Sequence, residues 1–117
     1  MTLFDDRERA FEAKFAHDED RRRIGIARGN RLFGFWAAKR LGLDAEASEA
    51  YAQDVMRLGL QQADGRAVLA RVVRDLCATE PSLAEDEAER AFIAMRAKAV
   101  EQLRFEDLTT PEFHPAG

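Results

Sequence analysis

Cysteine, proline and glycine are scarce in this 117-residue chain, which has one, three and seven of them. The single cysteine, Cys77, leaves no internal disulfide framework to stabilise a loop-rich fold. With so few helix breakers and no run of alternating β-branched residues, sheet architectures have little to build on. No apolar stretch reaches the roughly 18 residues of a membrane span, and no signal-like apolar region stands at the start, so a cytoplasmic protein is expected. Also missing are a phosphate-cradling glycine loop, paired cysteine ligands and a His-Glu-x-x-His pattern. An enzyme is therefore not expected, and neither a metal nor a cofactor is called for.

What is present is helix-forming. Residues are 46% hydrophobic, many of them alanine, and 34% charged, with clear periodicities of three and four. The length suits one domain. The net charge of −4 is confined to one end. Met1 to Asp20 holds seven acids and three bases, and the remaining fifteen of each sign cancel. That acidic end would repel phosphate, so nucleic acid is not its partner, whereas a basic cleft on a protein would attract it.

Phe4, Phe11 and Phe15 recur at spacings of seven and four and share one helical stripe within this acidic end. Thr2 can cap the helix, and Asp5 with Asp6 places negative charge in its first turn. Such a segment is marginal alone in water, so its aromatic face needs a cover. Next comes Asp18-Glu19-Asp20-Arg21-Arg22-Arg23, in which acid-first pairs of Asp18 with Arg22 and of Glu19 and Asp20 with Arg23 are expected. Residues 1–23 thus read as an arm and charged neck, residues 24–108 as a body, and residues 109–117, with two prolines and no periodicity, as a loose tail.

Four amphipathic stripes make up the body. Ile26, Asn30, Phe33 and Ala37, widened by Leu32, Phe35, Trp36 and Leu41, mark the first, and Lys39, Arg40 and Gly42 give it a basic end and a glycine stop. Gly25 and Gly29 precede that stripe, and they fit either a hinge or close packing of another helix. Asp44 caps a second helix whose buried face is Ala47, Tyr51, Val55 and Leu58. Asp64 caps a third carrying Val68, Leu69, Val72, Val73 and Leu76. Ser82 to Glu85 has the form of a capping box before Ala88, Phe92, Met95, Ala99 and Leu103. Short connections between amphipathic helices favour an all-α, four-helix bundle with a mobile N-terminal helical arm.

Two other groups of residues need weighing. Arg22, Arg23, Arg28 and Arg31 make the first body helix basic, and a helical adaptor binding nucleotide or nucleic acid through them is the competing reading. Most of these arginines have acidic neighbours, so an ordinary solvated face accounts for them as well. His17, beside three acids, reads as a solvated histidine, and Cys77, flanked by Leu76 and Ala78, as a small buried hydrophobe.

Phe4 to Asp18, followed by Arg28-Gly29-Asn30-Arg31-Leu32-Phe33-Gly34-Phe35-Trp36-Ala37-Ala38, resembles the zeta subunit family, natural inhibitors of the F1-ATPase of alpha-proteobacterial ATP synthases. The family's usual pair of leucines before the motif glycine is Leu32-Phe33 here, and its basic approach is interrupted by Gly29. The resemblance implies a chain, monomeric when free and peripheral to the inner membrane, whose N-terminal segment inserts at a catalytic α/β interface and contacts the central rotor. Rotation in the ATP-hydrolysis direction is then blocked. Partner contacts are expected from Phe4, Asp5, Arg7, Glu8, Phe11, Glu12, Lys14 and Phe15.

Overall fold

A computed structural model describes residues 3–62, 65–83 and 85–109, except for the side chains at 3–5, 11, 15, 108 and 109. The expected caps Thr2 and Asp64 and the tail 110–117 lie outside the described residues. Four helices follow one another: α1 (Leu3–Arg40), α2 (Ala45–Gln61), α3 (Gly65–Thr79) and α4 (Glu85–Thr109). The chain is an all-α bundle, with no strand among the described residues.

Local chemistry sets most of the helix ends. Gly42 adopts a positive φ of 74°, its N–H donates to the Lys39 carbonyl at 3.1 Å, and the Leu43 N–H donates to the Ala38 carbonyl at 3.1 Å. This Schellman closure satisfies carbonyls that the end of α1 would leave bare, in a conformation glycine adopts at least cost. Two residues on, the Asp44 carboxylate accepts the Ala47 N–H at 2.8 Å and starts α2. The expected capping box at Ser82 does not form. Instead the Leu83 N–H donates to the Glu80 carbonyl at 3.0 Å, closing a turn through Pro81 and Ser82, and α4 begins only at Glu85. Pro81 favours that turn, and Glu85, Asp86 and Glu87 then stabilise the first turn of α4 through the helix dipole.

Phe33 is the centre of the core. Its ring is wholly buried, stacks on Trp36 at 5.6 Å between centroids and meets Phe92 of α4 edge-on at 5.2 Å. Ala37, Val55, Val68, Val72 and Leu76 close around it from α1, α2 and α3. Trp36 and Phe35 are only half-buried, and cations cover their outer faces: the Arg40 guanidinium lies 5.3 Å from the Trp36 ring and that of Arg31 4.8 Å from Phe35. Arg40 also pairs with Glu80 at 3.0 Å and with Glu87, tying the end of α1 to the start of α4.

Small residues let α1 approach both neighbours. A Cβ on Gly34 would stand 2.8 Å from the Cα of Ala52, and one on Gly29 would stand 3.1 Å from the Cα of Arg96. Gly25 and Gly29 therefore serve close packing against α4, and α1 runs through both without a break. Asn30 is the one buried polar side chain among the described residues. It accepts from Arg96 at 3.4 Å and lies against Gly59, where a Cβ would overlap its amide nitrogen.

With 38 residues, α1 is about 57 Å long at 1.5 Å per residue, close to the 64 Å long axis of the molecule. The radius of gyration, 18.4 Å, exceeds the roughly 13 Å of a compact domain of this size. The first helix is the axis of the molecule, and only its second half lies within the bundle.

Candidate functional site

The first half of α1 projects. Residues 6–10, 12–14 and 16–18 are all exposed, and among the described residues the helix forms its first ion pair with another helix at Arg21. Arg7, Glu8, Glu12 and Lys14 are among the exposed residues, and none makes an ion pair among the described residues. Their side chains are available to a partner. Phe4, Phe11 and Phe15 fall within α1, but their side chains, like that of Asp5, lie outside the described residues.

In the neck the expected pair of Arg23 with Asp20 forms, whereas Arg22 pairs with Glu19 in place of Asp18. Arg22 approaches Glu19 at 3.9 Å and Arg23 approaches Asp20 at 3.8 Å, both across three residues and largely in solvent. Such pairs contribute little. Asp18 turns instead towards a groove that it shares with Arg21 and Arg22 of α1 and Arg104 and Asp107 of α4.

Two arginine clamps hold the base of the projection to the end of α4. Arg21 pairs with Asp107 at 2.5 Å and donates to the Leu103 carbonyl at 3.4 Å, in the last turns of α4, where a cation complements the helix dipole. Arg28 grips Glu106 with both guanidinium nitrogens, at 2.7 and 3.2 Å. That grip holds the Glu106 carboxyl below its usual range, and a hydrogen bond from Arg31 at 2.6 Å does the same for Glu49 of α2. Of the four arginines weighed as an anion site, Arg28 and Arg31 are thus engaged with carboxylates, while Arg22 and Arg23 stand 72% and 76% exposed. The structure does not converge the four on one point. Arg21, Glu106 and Asp107 were not singled out in the sequence, because nothing local marks a pairing between chain segments so far apart.

The class of protein follows from this geometry. It is an all-α bundle that presents the exposed start of its longest helix, with no three metal-ligating side chains meeting among the described residues. A family model for the ATPase inhibitor subunit zeta matches residues 1–102. The chain belongs to that family, whose members are regulatory rather than catalytic subunits. No curated protein and no solved structure gave a significant match. Among the described residues no helix is long and apolar enough to cross a membrane.

Proposed function

We propose that the chain inhibits the F1-ATPase by inserting the first half of α1 at a catalytic α/β interface, against the central rotor, and so blocks rotation in the hydrolysis direction. The observation that carries this reading is the exposed projection itself. A continuous helix runs for about five turns before, among the described residues, its first ion pair with another helix at Arg21, and Phe4, Phe11 and Phe15 share one stripe along it. A helix of this kind enters a groove through anchors at such spacings, with the groove supplying the cover that water does not. Ordering of the free arm on entry would cost some affinity but permit insertion into a cleft that opens transiently. Residues 24–108 act as the body that stays outside the cleft, and the subunit remains peripheral to the membrane through the ATP synthase.

The rival, an adaptor that binds nucleotide or nucleic acid, has less to rest on. A phosphate at Arg28 would have to displace a bidentate carboxylate. The deciding experiment titrates F1 stripped of this subunit with the full chain and with a chain lacking residues 1–20. Inhibition by the first alone, with the same cooperative thermal transition in both, supports the reading. Equal inhibition by both, or loss of the transition in the truncated chain, would sink it.

A further inference from the structure

The end of α2 and the start of α3 stop short of the projecting half. Gly59 near the end of α2 lies against Asn30, and Gly65 at the start of α3 faces Phe92 and Arg96. Beyond that level, among the described residues, α1 and α4 continue as a pair with a groove between them. Its floor is apolar: Gly25 and Ile26 from α1, Val100 and Leu103 from α4, with Val100 53% exposed. Its rim carries Arg21, Arg22, Arg96 and Arg104 against only Asp18 and Asp107. Arg104 makes no ion pair among the described residues, and Arg96 has no carboxylate partner there and a buried Nε without a hydrogen bond.

The groove and the aromatic stripe share one helix face. From Phe4 the positions Phe11, Phe15, Asp18, Arg22, Gly25 and Gly29 follow at spacings of seven, four, three, four, three and four, a single ladder on a continuous helix. A surface that covers the stripe therefore runs directly onto the groove one turn further along. An exposed apolar floor between two helices takes a third helix, and a rim with surplus guanidinium takes one that is acidic.

We propose that this α1–α4 groove is a second docking site for the ATPase, receiving an acidic, apolar-centred helical segment of the subunit that forms the mouth of the cleft. This rests on the inhibitor reading above and names a further contact of the same partner. The arm enters, and the groove seats the body at the entrance and fixes how far α1 goes in.

The test uses the full chain on stripped F1. Arg104→Glu and Val100→Glu change exposed side chains that the bundle does not use, so the thermal midpoint should stay within about a degree or two of wild type. Each should raise the concentration for half-inhibition about tenfold, and the Arg104→Glu effect should shrink at high salt. A photo-crosslinking residue in place of Val100 should join the chain to an acidic segment of an F1 subunit. If wild type inhibits, Phe11→Ala does not, and both groove variants match wild type, the arm reading stands and the groove proposal falls. It also falls if the crosslink joins only two copies of this chain, or if wild type fails to inhibit at all.

Discussion

One helix carries two kinds of surface. Between Gly25 and Ala38, α1 is packed tightly enough that glycines meet neighbouring backbones, whereas residues 6–10, 12–14 and 16–18 are exposed. Phe11 and Phe33 lie about six turns apart on that helix and within one stripe. In the body half Phe33 is buried in the core, and on the proposed reading the arm half holds Phe4, Phe11 and Phe15 for a partner. On that reading the same residue type at the same register acquires its role from what the rest of the chain brings alongside.

The largest effect expected from breaking this division is in the body. Phe33→Ala removes a fully buried ring lodged between Trp36 and Phe92. A loss of about 3–5 kcal/mol is expected, a large share of a typical domain's stability. Denaturant unfolding measures it, and inhibition should fail only to the extent that the chain unfolds. A normal melt for this variant would mean that the bundle's core is elsewhere.

Next in size is the mirror experiment in the arm. Phe11→Ala or Phe15→Ala should weaken inhibition by roughly a hundredfold, equivalent to about 3 kcal/mol at a buried anchor. The melt of the free chain should not move. Arg7 and Glu8 flank the stripe, and their replacement by alanine should slow association more at low than at high salt. Unchanged inhibition, or an unfolded bundle, would erase the distinction between the two halves.

How much of this was legible depended on how local the physics is. The end of α1 at Gly42 and the start of α2 at Asp44 could be read because each is a residue bonding with its own near backbone. Periodicity likewise found the buried faces of Val55, Val68, Val72 and Leu76. Ser82 to Glu85 misled because two local motifs competed, and the turn through Pro81 won. Whether Gly25 and Gly29 were hinge or contact could not be settled without α4, since only the position of Arg96 and Leu103 decides it. Arg28 and Glu106, 78 positions apart, were invisible as a pair, and with them the clamp that ties α1 to the end of α4. The groove of the second proposed contact was hidden for the same reason: half of it belongs to α4.

A glycine exchange sharpens the comparison at smaller scale. Gly34→Ala would push a methyl into the backbone of Ala52, which cannot move without displacing α2, and should destabilise by about 1–3 kcal/mol. Ala13→Gly in the arm crowds nothing but weakens the helix by about 1 kcal/mol. The first should lower the melting midpoint. The second should leave it in place and weaken inhibition about fivefold, through the extra ordering that binding then requires. A reversed pattern would put the arm in the body and α1–α2 packing outside it.

The smallest effect lies at the boundary between the halves and is set by pH. Hydrogen bonding from Arg28 lowers the Glu106 carboxyl from its ordinary value, and bonding from Arg31 lowers that of Glu49. A carboxylate whose folded pKa is depressed stabilises the fold above the unfolded value, about 4.3, and loses that contribution as pH falls through the folded value. Acidification below about pH 4 should therefore loosen the grip of α4 on α1 at Arg28 before the apolar packing at Phe33 responds. Both carboxylates are near solvent, so the change in melting midpoint should be only about a few degrees. Amide exchange resolves it better: protection near residues 21–28 and 103–107 should fall on acidification while that near Phe33 holds. Glu106→Gln, already without the charge, should show lower protection at these amides at neutral pH and little further loss in acid. If its acid loss equals that of wild type, the clamp is not what ends the arm, and the boundary is held by the apolar contacts of Gly25 and Leu103 alone.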